Sequence, residues 1–223
     1  MPLIHALNRG TDKRDIFMDD HDRMRFCYGL FLFNDTRHVD IAALKTKGLP
    51  MSFFVESTPP RKRLVDVHGW CLMTNHYHLL LSERTESGVS RFLQKLNIGY
   101  AKYFNDRHKR VGTLYQGRTK QVLIESDRQF LHILNYIHFN PLDFLNGSKE
   151  WRERRISNTQ KALDHLNKYR WSSYATYCGK GDFPAITTTE LFADVFKDYK
   201  REVVGYLHDI EIESIQLDGL NLE

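Results

Sequence analysis

The chain has 223 residues, of which 41% are hydrophobic and 27% charged, so it is not a disordered tail, a collagen or a disulfide scaffold. The net charge is +4, but residues 209–223 contain five acids and no Lys or Arg, and without this acidic tail residues 1–208 carry +9. A basic body is typical of proteins that meet phosphates. Apolar stretches fall short of the roughly 20 residues of a membrane helix, and the amino terminus lacks a secretory signal. We therefore expect a cytoplasmic protein that does not span a membrane.

The first third of the chain predicts two strand regions separated by a helix and an insertion. Residues 35–63 are less regular than their surroundings and are interpreted as an insertion with one short helix, a strand at 51–56 and a basic loop. The remaining elements predicted here are a strand at 2–8, a helix from Asp19 or Asp20 to about Asn34, and a hairpin of strands at 64–73 and 76–82.

The next segments predict a long helix, a basic loop, a strand and a capped helix. The long helix follows Ser87, a basic segment covers 107–120, and a strand is expected at 121–125. The sequence Ser126-Asp-Arg-Gln has the form of a capping box, so a helix should begin at residue 127. Pro141 should end that helix near residue 140, because proline disfavours helical geometry in the residue before it.

The last predicted element is a helix at 189–208. The whole order, strand-helix-strand-strand-helix-strand-helix, predicts an α+β fold with an antiparallel sheet. The three cysteines, Cys27, Cys71 and Cys178, form no C-x-x-C pair and are expected to be small buried hydrophobic side chains.

Two histidines, His76 and His78, are separated by one residue on a predicted strand. Residues i and i+2 of a strand share a face, so both imidazoles should point to one side while Tyr77, Leu79 and Leu81 point to the core. Two imidazoles side by side can hold one metal ion. With eleven histidines in the chain, such a pair is weak evidence on its own.

The capped helix carries a second candidate, Tyr136. It lies at the edge of the apolar stripe of its helix, and Asn140 follows one turn later on the same ridge. A tyrosine at such an edge can be held rigidly with its hydroxyl free, which suits a nucleophile. The alternative is a boundary tyrosine that only hydrogen-bonds to the backbone.

Six short motifs occur in an order that closely resembles the REP-associated tyrosine transposases, which are IS200-like members of the single-tyrosine HUH endonucleases. The resemblance covers residues 3 to about 205, and six motifs in order are far more specific than any one of them. The motifs are Asn8-Arg9-Gly10, HGWCLMTNHYHLLL at 68–81, YAKYFN at 100–105, GTLYQGR at 112–118, YIHFNP at 136–141 and WSSY at 171–174.

This resemblance implies a fold, a metal and residue roles. The fold would be a ferredoxin-like antiparallel sheet with helices packed on one face, followed by a mainly helical C-terminal extension. His76, His78 and Asn140 would bind a divalent metal, Mg²⁺ or Mn²⁺, and Tyr136 would be the nucleophile. The domains would be 1–145 with the insertion at about 35–63, the extension at 146–208 and the acidic tail at 209–223.

The implied activity is metal-dependent cleavage and rejoining of single-stranded or hairpin DNA through a 5′-phosphotyrosine, by a monomer or a homodimer. The alternatives are a non-catalytic nucleic-acid-binding regulator with the same fold and a metal hydrolase that uses water. Phosphates and unpaired bases would be bound by basic residues and one aromatic residue, namely Arg9, Arg107, Lys109, Arg110, Tyr115, Arg118 and Lys120.

Overall fold

The computed structural model describes residues 2–39, 49–153, 156 and 158–208. Four strands form one sheet in the order β2-β3-β1-β4, and each neighbouring pair is antiparallel. The strands are β1 (Leu3–Arg9), β2 (Val65–Leu72), β3 (His76–Glu83) and β4 (Lys120–Ile124). This strand order is ferredoxin-like and confirms the predicted α+β fold. The predicted acidic tail and residues 40–48 of the predicted insertion lie outside the described residues.

Helices connect and follow these strands. In the first part of the chain they are α1 (Asp20–Leu32), α2 (Met51–Ser57), α3 (Gly88–Arg107) and α4 (Asp127–Phe139). The extension adds α5 (Thr159–Lys168), α6 (Tyr174–Tyr177), α7 (Glu190–Ala193) and α8 (Tyr199–His208). No helix within the described ranges is long and apolar enough to cross a bilayer.

Two predicted elements differ in the structure. The strand predicted at 51–56 is the helix α2, in which Met51 and Phe54 are buried while Phe53 and Val55 are about half exposed. A strand would have placed residues 51, 53 and 55 on one face. The helix predicted at 189–208 is divided into α7 and α8, because the Asp198 carboxylate accepts a hydrogen bond from the Arg201 amide and caps a new helix.

Helices cover both faces of the sheet, whereas we expected them on one face. Helices α1 and α3 pack against Tyr77, Leu79 and Leu81 of β3. Helix α4 packs on the opposite face, where its residues Ile133, Leu134 and Ile137 cover Leu3, Cys71 and Leu80. The reason is that the second face is also apolar at these positions, and an uncovered apolar sheet surface would remain in water.

The C-terminal extension packs on α4 and on the outer edge of β2. The Ser173 amide donates to the Trp70 carbonyl at 2.9 Å, and the Leu72 amide donates to the Trp171 carbonyl at 2.9 Å. The imidazole of His138 on α4 bonds to the Ser173 hydroxyl at 2.7 Å. The extension therefore shares a hydrophobic core with α4, and the boundary predicted at residue 145 stays a prediction.

Candidate active site

The predicted nucleophile and the predicted histidine ligands lie on the same face of the sheet. The ring centre of Tyr136 is 5.9 Å from that of His78, and the rings of His76 and His78 are 4.9 Å apart. His5 on the neighbouring strand β1 joins them, with its ring centre 6.0 Å from that of Tyr136. Three imidazoles and one phenol thus form a single cluster beneath α4.

The local sequence holds α4, and with it Tyr136, over the sheet. The Ser126 hydroxyl accepts from the Gln129 amide and the Gln129 side chain accepts from the Ser126 amide, so the predicted capping box is confirmed. The buried stripe of Ile133, Leu134 and Ile137 then fixes the rotation of the helix. Tyr136 lies at the edge of this stripe and is half-buried.

Burial and a neighbouring charge act in opposite directions on the pKa of the Tyr136 phenol. Burial raises the pKa of the Tyr136 phenol, while the positive charge of the Arg152 guanidinium acts to lower it. The Arg152 guanidinium carbon lies 5.8 Å from the centre of the phenol ring. An arginine beside a phenol favours the phenolate that a nucleophile must form.

Both histidines are neutral, and His76 presents an unprotonated nitrogen to the site. The Asn75 side-chain oxygen lies 2.6 Å from Nδ1 of His76, so that nitrogen carries the proton and Nε2 keeps its lone pair. Nε2 of His78 is buried and has no hydrogen-bond partner in the described part of the chain. Burial lowers the pKa of His76 to about 3 and that of His78 well below its usual value. Neutral imidazoles of this kind suit a divalent metal ion.

Asn140, the third predicted ligand, is buried and already hydrogen-bonded. Its amide nitrogen donates to the Tyr136 carbonyl at 2.8 Å, and its oxygen accepts from Arg152 at 2.8 Å. No group of three His, Cys, Asp or Glu side chains that could hold a metal occurs within the described ranges. His76 and His78 can thus supply two ligands to a metal ion. The Asn140 oxygen could be a third ligand only if it shared or gave up its bond to Arg152.

Two of the predicted DNA-binding residues lie beside the cluster. Arg9 of β1 is directly opposite His76 of β3, and Lys120 of β4 is directly opposite Leu7 of β1. Residues directly opposite each other share a face, so both cations belong to the face of the imidazoles. Their charges act to lower the pKa of nearby histidines.

Arg118 is exposed in the loop before β4. This loop is tied to β1, because the Gln116 amide donates to the Arg9 carbonyl at 2.9 Å and the Asn8 side chain donates to the Gly117 carbonyl at 3.2 Å. The loop that carries Arg118 therefore runs alongside the strand that carries Arg9.

The other predicted DNA-binding residues are placed elsewhere. Arg107 pairs with Asp19 at 2.6 Å and also with the buried Asp22 of α1. Lys109 and Arg110 follow the end of α3, where Arg110 donates to the Asn105 side chain at 3.1 Å.

Tyr115 lies on the face of the sheet that α1 and α3 cover. Its ring centre is 6.2 Å from that of Tyr77, and its hydroxyl is buried without a described partner. Burial also raises the pKa of the Tyr115 phenol well above its usual value. Stacking on a base would require Tyr115 to leave this contact.

Sequence reasoning missed two residues of the cluster. His5 carries a signal only in retrospect, since it shares a strand face with Arg9 four residues later. Arg152 lies in a 3₁₀ turn (Lys149–Glu153) without periodicity, and no pattern in the sequence connects it to Tyr136.

Residues 60–140 match the family model described as "Transposase IS200 like". No curated protein matches the chain. The chain is also similar to a solved structure of a REP-associated tyrosine transposase bound to a REP hairpin, with 12% identity over 84% of each chain and a TM-score of 0.44.

The matched segment contains β2, β3, α3, β4 and α4, and with them the two histidines, Tyr136 and Asn140. The family model thus agrees with the resemblance predicted from the sequence over this segment. Residues 60–140 of this chain are similar to the IS200-like transposase family.

Proposed function

We propose that this protein is a transposase that cuts and rejoins single-stranded DNA with Tyr136 as the nucleophile. The observation that carries the proposal is the position of the Tyr136 ring, 5.9 Å from the ring of His78 on one face of the sheet. The family match supports transposase activity in general. The tyrosine mechanism and the metal dependence are our own inference from this cluster.

In the proposed reaction the Tyr136 oxygen forms a bond to the scissile phosphorus, and the bond from phosphorus to the 3′-oxygen breaks. The phenol loses its proton and the departing 3′-oxygen gains one. The products are a 5′-phosphotyrosine and a free 3′-hydroxyl, so the ester retains the bond energy needed to join another strand. Hydrolysis by water would lose that energy.

His76 and His78 would hold the divalent ion, Mg²⁺ or Mn²⁺, since neutral imidazoles leave the full positive charge of the ion for the phosphate. Such an ion, when bound, neutralises charge on the phosphoryl oxygens and orients the phosphate. Asn140 would complete the ligand set if its side-chain oxygen shared or gave up the hydrogen bond from Arg152.

The other residues of the face would position the strand and the nucleophile. Arg9 and Lys120 would bind backbone phosphates on either side of the cluster. Arg152, whose guanidinium carbon lies 5.8 Å from the centre of the phenol ring, would favour the ionised form by its charge. The resemblance of the sequence motifs to the REP-associated tyrosine transposases implies a hairpin as the substrate.

The direct test is covalent transfer. Hairpin-forming single strands taken from around the gene, labelled at the 3′ end, are incubated with the protein and Mg²⁺ or Mn²⁺. We expect labelled protein that survives SDS, and no such adduct when the metal is chelated or His76 is replaced by Ala. Cleavage that yields only a free 5′-phosphate would instead support a hydrolase, and binding indifferent to metal and to His76→Ala would support a non-catalytic regulator.

A further inference from the structure

His5 contacts a predicted metal ligand through a buried bond between two imidazoles. Nε2 of His5 and Nδ1 of His78 are 3.0 Å apart, and the planes of the two rings differ by only 9°. Both side chains are almost completely shielded from solvent, at 0% and 2% exposure. One of the two nitrogens must donate the proton and the other must accept it.

The direction of this bond decides what His78 can do. If Nδ1 of His78 donates, Nε2 of His78 keeps a lone pair, which is the form that binds metal ions. If His5 donates, Nδ1 of His78 accepts, its proton must be on Nε2, and no lone pair remains for an ion. The tautomer of His78 therefore depends on whether Nε2 of His5 accepts or donates the proton in this bond.

The backbone holds His5 in this place. Strand β1 lies between β3 and β4, and His5 is paired with Leu80 on one side and Val122 on the other. A residue in a central strand has little freedom to shift. The ring of Tyr136 also packs edge-on against His5 from above.

We propose that His5 is a positioning residue that accepts the Nδ1 proton of His78 and so keeps Nε2 of His78 available for a divalent cation. This inference rests on the proposed function, since it assigns His5 a role toward the same ion. His5 does not touch the ion or the DNA in this scheme. In the same tautomer Nδ1 of His5 carries a proton with no described partner, so this arrangement leaves one buried donor unpaired.

The first test compares Mn²⁺ affinity in full-length variants, with free Mn²⁺ measured by electron paramagnetic resonance. His5→Phe keeps a ring of similar size but has no acceptor, and we expect Mn²⁺ to bind 10- to 100-fold more weakly. His5→Gln places an oxygen near the position of Nε2, and we expect it to restore most of the affinity. The control is His68→Phe, which removes another buried histidine, one that bonds to Ser82 at 2.7 Å, and should leave Mn²⁺ affinity unchanged.

A second measurement needs no variant. Nitrogen-15 NMR of the histidine rings in the metal-free protein should show His78 protonated at Nδ1, and protonation at Nε2 would overturn the inference even if the variants fail to fold. Wild-type Mn²⁺ affinity retained in His5→Phe would also overturn it, while leaving the proposed metal site intact. A wild-type protein that binds no Mn²⁺ would instead defeat the metal site itself, and the role of His5 with it.

Discussion

Replacing Tyr136 by Phe removes one oxygen atom from the cluster, and its effect on stability can be measured separately from its effect on adduct formation. The ring contacts with His78, His5 and Trp151, at centre distances of 5.9, 6.0 and 5.8 Å, remain available to phenylalanine. The loss to folding is then the polar interaction of one hydroxyl, whose nearest cation is Arg152, about 1–2 kcal/mol. In a protein of this length that lowers Tm by roughly 2–8 °C. The covalent adduct, in contrast, should disappear completely.

The assay uses two labels on the same hairpin strand. A label at the 3′ end should migrate with the wild-type protein in SDS, while a label at the 5′ end should appear on a released fragment that ends in a 3′-hydroxyl. DNA affinity of Tyr136→Phe, measured by fluorescence anisotropy, should stay within about twofold of wild type, because the phosphate-binding cations are unchanged.

The matched control is Tyr177→Phe. Tyr177 is also half-buried and its hydroxyl donates one hydrogen bond, to the His68 carbonyl at 2.7 Å. This variant should lose a similar amount of stability and still form the adduct. An adduct that persists in Tyr136→Phe, or one that is lost equally in a folded Tyr177→Phe, refutes the assignment of the nucleophile.

Three further outcomes are expected. Burial lowers the pKa of His138 to about 3, against about 6.5 in the unfolded chain. Between these two values the unfolded state binds more protons at this residue, so His138 lowers the free energy of unfolding by about 1.4 kcal/mol for each unit that the pH drops. Urea unfolding at pH 7 and 5 measures this, and a His138→Leu variant with the same pH dependence as wild type would contradict it. Arg9→Ala and Lys120→Ala should each reduce the slope of log Kd against log salt by about 0.7, the value for one phosphate on a single strand, and unchanged slopes would remove these residues from the DNA interface. Arg107→Ala should leave that slope unchanged and lower stability by about 1–3 kcal/mol, because it takes a hydrogen-bond donor from a buried aspartate; a changed slope without a loss of stability would reverse this expectation.

Local patterns predicted the sheet and the helix that bears Tyr136 because their signals are short in range. The alternation of His76, Tyr77 and His78 assigns side chains to opposite faces without any tertiary information. The capping box at residues 126–129 likewise marks the start of α4 from four residues. These two signals assign the imidazoles and the phenol to faces of their elements, whereas their roles were expected only from the resemblance carried by the six motifs, and only the fold decides whether they meet.

The errors arose where the three-dimensional context decides. Residues 51–56 are rich in residues that favour strands, but Phe54 buries its ring against Tyr28 at 4.8 Å and the helix prevails. A basic segment does not reveal which of its cations are already paired, and Arg107 finds its partner 88 residues away. His5 acquires its neighbour only through the register of two strands whose residues are 73 positions apart.

The hydrogen bonds between residues 171–173 and β2 bear on how this protein can be dissected. An unpaired strand edge offers a row of free amides and carbonyls to any other extended chain. The Trp-Ser-Ser segment occupies that row at Trp70 and Leu72. A fragment that stopped at residue 145 would expose this edge together with the apolar side of α4, so we expect it to aggregate, even though every proposed catalytic side chain except Arg152 would still be present.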